Sequence, residues 1–105
     1  MKVIWIEVAQ KQLSEIYEFL AQQNERAAAD LYNDILDETD KLGVFPEMAA
    51  FEPLFKKKPR KYRSLVVRRN YKVIYRIDRE TEEIIVTSVW DCRCDPKKLK
   101  KKILN

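Results

Sequence analysis

The sequence predicts an α+β domain, in which a helical hairpin packs on a twisted, mainly antiparallel four-stranded sheet in the order β-α-α-β-β-β, followed by a short C-terminal helix. Residues Tyr62–Ile77 alternate between apolar and basic side chains, the period of paired strands with one buried face. Two earlier segments, from Ala9 and from Asn24, carry apolar residues at helical spacing. The length of 105 residues predicts a single domain, residues 1–105, with a modest core.

The first strand is predicted at Lys2–Val8, where apolar residues occupy both faces. The period becomes helical from Ala9, and we expect this first helix to end near Gln22–Gln23. Its apolar stripe comprises Ala9, Leu13, Ile16, Tyr17 and Leu20, and its polar face Lys11, Gln12, Glu15 and Glu18.

The second helix is predicted to begin after Asn24, a favourable N-cap, with Glu25 at the positive end of the helix dipole. Gly43 is the only glycine and stands where a helix C-cap is expected. The apolar stripe comprises Ala28, Leu31, Tyr32, Ile35, Leu36 and Leu42. Two helices with a short link form an antiparallel hairpin, whose apolar stripes must pack on the sheet.

Three of the four prolines lie in the segment Val44–Arg60, and they disfavour regular structure there. Five apolar residues of this segment are expected to pack against the core: Phe45, Met48, Phe51, Leu54 and Phe55.

An antiparallel meander is predicted from the strands Tyr62–Val67, Tyr71–Ile77 and Glu83–Trp90. In the first turn we expect Asn70 to adopt positive φ. The aromatic residues Tyr71, Tyr75 and Trp90 are expected in the core. Asp95-Pro96 is typical of a helix start, which predicts a short terminal helix at Lys97–Asn105.

The net charge of +4 combines two unequal halves. Residues 1–55 carry 4 Lys/Arg against 11 Asp/Glu, and residues 56–105 carry 17 against 6. This asymmetry indicates a surface for a polyanion or an acidic protein, and the alternative is that the charges are only solvated. The candidate target-binding residues are Lys56, Lys57, Lys58, Arg60, Lys61, Arg68 and Arg69.

No apolar run reaches the length of a membrane span, and the apolar segment at residues 1–7 is too short for a signal peptide. We therefore expect a cytoplasmic protein without a membrane partner. Cys92 and Cys94 are too close in sequence for an unstrained bridge, which predicts free thiols. A C-x-C pair in a chain without histidine offers too few ligands for zinc. We expect no metal and no small-molecule cofactor.

The stretches YRSLVVRRNYKVIYRID and IIVTSVWDCRCDPKKL resemble the RelE/ParE superfamily, the toxins of bacterial type II toxin–antitoxin pairs. The order of the preceding elements matches as well, so the resemblance covers nearly the whole chain. It implies the same α+β fold, a cognate antitoxin as partner, and one of two targets. One branch inhibits DNA gyrase by binding, and the other cuts mRNA on the ribosome.

The resemblance assigns the cations of the nuclease branch to Arg63, Lys72 and Arg93, with Arg76 on the same strand as Lys72. Two departures weigh against cleavage. Leu65 stands where these nucleases carry a second lysine, and no tyrosine follows Tyr75 to serve as a proton carrier. Cleavage through the 2′-hydroxyl needs a general base, and arginine is a poor one because it hardly ever deprotonates.

The favoured interpretation is therefore a ParE-like gyrase inhibitor, neutralised by an antitoxin that binds through strand addition or a helix in a groove. The alternative is a RelE-like, ribosome-dependent and metal-independent mRNA endoribonuclease that uses the four cations above. A third class, a plain RNA-binding module, lacks the exposed aromatic-glycine motif expected of it. The four cations could also be ordinary solvent-facing positions of a half-buried sheet.

Overall fold

The computed structural model describes residues 1–58 and 60–93 and confirms the α+β class, with two helices packed on one mixed sheet. The described elements are β1 (Lys2–Trp5), α1 (Glu7–Ala21), α2 (Glu25–Asp40), β2 (Ala50–Phe51), β3 (Arg63–Val67), β4 (Tyr71–Asp78) and β5 (Glu83–Asp91). Short 3-10 turns follow α2 at Lys41–Gly43 and β2 at Pro53–Phe55. The predicted terminal helix, Lys97–Asn105, and its start at Asp95-Pro96 lie outside the described residues.

The prediction of four strands was wrong, because the sheet that these residues form has five, in the order β1-β5-β4-β3-β2. The additional strand β2 pairs antiparallel with β3 through Ala50 and Phe51. A two-residue strand is too short to produce a recognisable alternation, so the sequence concealed it. β1 pairs parallel with β5, and the long connection that a parallel pair needs comprises the helical hairpin and strands β2 to β4.

The change from strand to helix comes two residues earlier than predicted. The N–H of Ile6 still donates to the carbonyl of Val86 at 3.1 Å, and α1 begins at the next residue, Glu7. The start of α2 is confirmed, since the Asn24 Oδ1 accepts the Ala27 N–H at 3.0 Å. The main core lies between the helices and the sheet, and its buried members include Ala9, Leu13, Leu31, Ile35, Leu42, Val67, Val73, Tyr75, Ile84 and Val86.

Gly43 does not have the left-handed C-cap role predicted for it. Helix α2 ends at Asp40, and Gly43 has no positive φ. A Cβ at this position would lie 2.6 Å from the carbonyl oxygen of Met1. Glycine is therefore required because the backbone at β1 approaches too closely for any side chain.

A bulge in β5 decides which residues face the helices. Ile74 pairs with Ser88 while Tyr75 pairs with Val86, so β5 contains one extra residue at this point. After the bulge, Val89 belongs to the helix-facing core, and Trp90 belongs to the cluster on the other face. The bulge therefore reverses which residues of β5 face the helices, whereas strict alternation along the sequence would have kept the same set on that face.

Gln12 belongs to the interior of the protein, contrary to its predicted place on the polar face of α1. It is 8% exposed, and its Oε1 accepts hydrogen bonds from the Ser88 hydroxyl at 2.7 Å and the Val89 N–H at 2.8 Å. These bonds satisfy buried donors beside the bulge, where the regular strand pairing is interrupted.

The second face of the sheet carries a smaller hydrophobic cluster of Phe55, Tyr62, Ile74 and Trp90, with Leu54 against it. The expected core positions of Tyr71, Tyr75 and Trp90 are confirmed. Segment 52–58 covers part of this face, so it is less open than a one-sided sheet would be.

The expectation that the proline-rich segment packs its apolar residues inward holds only for its second half. Phe55 is buried and Leu54 is half-buried, but Phe45, Met48 and Phe51 are 61%, 43% and 53% exposed. In the first half of the segment the backbone contacts the core, because the carbonyl of Pro46 accepts a hydrogen bond from the Tyr75 hydroxyl at 2.7 Å.

The β3–β4 turn also differs from its prediction. Positive φ occurs at Arg68 and Arg69, at 48° and 65°, and not at Asn70. The carbonyl of Asn70 instead accepts the Cys92 N–H, which ties the turn to the end of β5. Within the described part of the chain, neither helix combines the length and apolarity needed to cross a bilayer.

Candidate functional site

Lys72 lies on the second face of the sheet, where its ammonium forms an ion pair with Glu52. The Lys72 Nζ is 3.1 Å from Oε2 and 3.4 Å from Oε1 of Glu52. The Glu52 side chain is only 1% exposed, and that of Lys72 is 29% exposed. A buried carboxylate next to the ammonium neutralises the charge that a phosphate would otherwise meet.

Arg63 makes a structural contact of a different kind. Its NH1 donates to the carbonyl of Ala49 at 2.7 Å, and its guanidinium lies 4.1 Å from the ring centre of Phe51. This arrangement is a cation–π contact between two adjacent strands. Arg63 therefore holds the segment before β2 against β3.

Arg93 follows β5 and is bound by Asp91. The guanidinium Nε and NH2 donate to the two carboxylate oxygens at 2.9 and 2.8 Å, and NH2 is 3.3 Å from the Tyr71 hydroxyl. Hydrogen bonding from Arg93 holds the pKa of the Asp91 carboxyl below its ordinary value. The same bidentate contact raises the pKa of Arg93, so this guanidinium remains a cation.

Arg76 lies 3.8 Å from Asp78 on its own strand, a looser contact than the other pairs. Alternation along β4 places Lys72 and Arg76 on the face opposite Tyr71, Val73 and Tyr75. Arg63 lies on the same face of β3 as Leu65 and Val67, which pack toward the helices. Arg63 and Arg76 nevertheless line one cleft at the same end of the sheet, whereas Lys72 and Arg93 lie toward the other end.

The candidate target-binding residues also form two groups. Lys56, Lys58, Arg60 and Lys61 line one concavity with Phe51, Phe55 and Tyr62, and Lys57 is exposed beside them. Arg68 lies in the turn at the other end of β3, where its Nε donates to Asp34 of α2 at 2.7 Å. Arg69 is exposed in the same turn.

Sequence reasoning missed the acidic partners of these cations. Glu52 and Asp34 are far from Lys72 and Arg68 in the chain, so no spacing rule connects them. Two of the ion pairs did have a signal in the sequence, because each joins an acid and a base two residues apart. These are Asp91 with Arg93 and Arg76 with Asp78. Side chains at i and i+2 share a strand face, and this rule could have identified the second pair.

Two titratable groups near these cations are poorly suited to proton transfer. The lowered pKa of Asp91 makes its carboxylate a weak base. Burial raises the pKa of Tyr75, whose hydroxyl is already engaged with Pro46. Lys72, Arg76 and Arg93 are each paired with a carboxylate of the same chain.

Comparison with known proteins agrees with this architecture. In fold, the chain is similar to a solved chain of the chromosomal ParDE TA system from P. aeruginosa, with a TM-score of 0.70 at 20% identity, covering 87% of this chain and 95% of that chain. Among curated protein sequences there is no match. The model of a family described as the ParE toxin of the type II toxin–antitoxin system parDE matches residues 3–96. The chain therefore belongs to the ParE toxin family.

Proposed function

We propose that this protein inhibits DNA gyrase by binding it, and that a cognate antitoxin neutralises this activity in the cytoplasm. The observation that carries the proposal is the engagement of the four assigned cations by groups of the same chain. Lys72 and Arg93 are paired with carboxylates, and Arg63 is bonded to a backbone carbonyl. A nuclease needs such cations directed at the phosphorane that forms in the transition state.

The experiment compares inhibition with cleavage for one preparation of the chain. We expect the purified protein to inhibit supercoiling by gyrase and to leave ribosome-bound mRNA intact, as measured by primer extension. The Arg63→Ala, Lys72→Ala and Arg93→Ala variants distinguish the mechanisms further. In a nuclease they reduce cleavage about 10²-fold or more with binding nearly intact, because they act only in the transition state.

Arg26→Ala is the matched control, because this arginine is exposed at the start of α2 and belongs to none of the ion pairs formed among the described residues. Site-specific cleavage of ribosome-bound mRNA by the wild-type chain, abolished by Arg93→Ala with binding retained, would refute the binding mechanism. That result would establish the alternative, an mRNA endoribonuclease.

The antitoxin contact that we propose is a helix in the groove between α1 and the end of β5. This groove has an apolar floor and a polar rim; its lining includes Ile16, Phe19, Leu20, Val89 and Trp90 with Glu15 and Arg93. Phe19 is 64% exposed, so an apolar anchor is available for an amphipathic partner. Co-expression with the product of the neighbouring reading frame should raise the soluble yield and give a complex on gel filtration. The Phe19→Ser variant should weaken that complex.

A further inference from the structure

The segment before and through β2 leaves four large apolar side chains exposed in one place. The exposed fractions are 72% for Val44, 61% for Phe45, 43% for Met48 and 53% for Phe51. These four are among the nine large hydrophobic residues that are exposed in the described part of the chain. Isolated exposed apolar residues are ordinary, but a contiguous group on a small domain marks an interaction surface. We call these four residues, together with the cations described next, the Phe51 surface.

Five cations surround the cleft beside Phe51: Arg60, Lys61, Arg63, Arg76 and Arg79. Glu47 and Glu80 are the two carboxylates in its lining. Arg79 pairs with Glu47, which also lines the adjoining hollow formed by Val44, Phe45 and Met48. The cleft and the hollow are therefore adjacent and share Glu47 and Arg79 as a common wall.

Two of these cations, Arg60 and Lys61, are available to a partner, whereas Arg63 is bonded to the carbonyl of Ala49. None of the described carboxylates forms an ion pair with Arg60, Lys61 or Arg63, although Arg76 and Arg79 have one each. The cleft therefore carries an excess of positive charge next to exposed apolar groups. Interfaces between proteins combine aromatic residues, methionine and arginine in the same way.

The Phe51 ring distinguishes between a protein and a nucleic acid as the occupant. Base stacking needs a free aromatic face, but the guanidinium of Arg63 lies 4.1 Å and the ammonium of Lys61 5.8 Å from the ring centre of Phe51. Val44 and Met48 offer no stacking platform at all. An apolar side chain flanked by carboxylates matches the surface better.

We propose that the Phe51 surface docks an acidic segment of a protein partner, with an apolar side chain in the hollow of Val44, Phe45 and Met48 and carboxylates at Arg60 and Lys61 in the adjoining cleft. The inference rests on the proposed function, because a toxin that acts by binding needs a surface for its protein target. This surface lies beside Arg76 and Arg79, at the opposite end of β4 from Tyr71 and the α1–β5 groove. Antitoxin and target would then contact different ends of the sheet.

The test uses a fluorescent peptide with a central phenylalanine flanked by aspartates and glutamates, added to the full chain labelled with ¹⁵N. Expected are saturable binding and amide shift changes confined to residues 44–51, 60–63 and 76–80. Lys61→Glu should weaken binding at least tenfold, because it places like charges opposite each other. Phe45→Ser should weaken it as well. Arg26→Glu makes the same kind of charge change at the exposed start of α2, outside this surface, and should have no effect.

Equal binding of a peptide with lysines in place of the acids would overturn the proposal. So would shift changes outside this surface, or tighter binding of a single-stranded oligonucleotide of equal charge. Gyrase inhibition by the same variants separates this inference from the proposed function. Loss of peptide binding in Lys61→Glu with full gyrase inhibition refutes the surface as the target contact. Peptide docking by a wild-type chain that does not inhibit gyrase supports the surface and refutes the proposed target.

Discussion

The Lys72 ammonium lies 3.1 Å from the carboxylate of Glu52, and this contact joins β4 to the segment that covers the second face of the sheet. The pair lies next to the cluster of Phe55, Tyr62, Ile74 and Trp90. Its position explains why a lysine at an assigned nuclease position has a structural role in this chain. The Glu52 side chain is only 1% exposed, and a buried charge is costly unless it is paired and hydrogen-bonded.

Lys72→Met should destabilise the protein by about 1 to 3 kcal/mol, because it removes the counter-ion of the buried Glu52 carboxylate and leaves it only the Leu54 N–H as a partner. The value is below that of a fully buried pair, since 29% of the Lys72 side chain is exposed and solvent screens the interaction. Urea unfolding of the wild type, Lys72→Met, Glu52→Gln and the double variant measures the coupling. Strictly additive effects would show that the pair contributes nothing.

Gln12→Leu should cost about 2 kcal/mol or more, because the Ser88 hydroxyl and the Val89 N–H would both lose their acceptor in a buried site. Gln12→Glu is the informative partner variant, since it retains an acceptor oxygen. Thermal unfolding compares the two, and hydrogen exchange at Val89 reports the bulge directly. An unchanged exchange rate in Gln12→Leu would mean that the bulge is held by the strands alone.

Gly43→Ala should be destabilising by about 1 to 3 kcal/mol, because its Cβ would lie 2.6 Å from a backbone oxygen of Met1. The backbone at Gly43 has no positive φ, so the whole cost comes from this contact. Gln23→Ala, at an exposed position between the helices, is the control and should change stability by less than about 0.5 kcal/mol. A neutral Gly43→Ala would indicate that β1 moves away freely.

The Asp91 carboxyl should titrate below the ordinary aspartate range because Arg93 donates to it. A depressed folded pKa means that the contact stabilises the protein fully above the unfolded pKa, about 3.9. This stabilisation is lost as the pH falls through the lower folded pKa. NMR titration of the carboxyl carbon should show the midpoint rising in Arg93→Gln. The pKa of Asp78, which is lowered mainly by the Thr81 N–H, should not move in that variant.

The lysines at positions 56–58 should contribute to the affinity for any polyanion. Replacing Lys56, Lys57 and Lys58 by alanine should reduce the slope of log affinity for duplex DNA against log salt by about two to three. Replacing Lys2, Lys11 and Arg26, three exposed cations elsewhere, by alanine removes the same charge and should leave the slope unchanged. Equal slopes for the wild type and the lysine variant would show that positions 56–58 are only solvated.

The sequence alone was sufficient for the α+β class, the helical hairpin, the Asn24 cap and the three long strands. These features depend on periodicity and on contacts between near neighbours, which any window of residues contains. Tyr71, Tyr75 and Trp90 were likewise identifiable as core residues from their chemistry. The resemblance carried by residues 62–78 and 84–99 indicated the family that the family model matches.

Only the tertiary structure decided how distant residues meet. The bulge before Val89 reverses the faces of β5, and the 3.1 Å contact of Glu52 with Lys72 joins residues 20 positions apart. The Tyr75 hydroxyl donates to the Pro46 carbonyl, a bond across 29 positions, in a segment whose Phe45 and Phe51 side chains are exposed. Local pattern carries no information about such pairs, because their geometry exists only once the sheet has assembled.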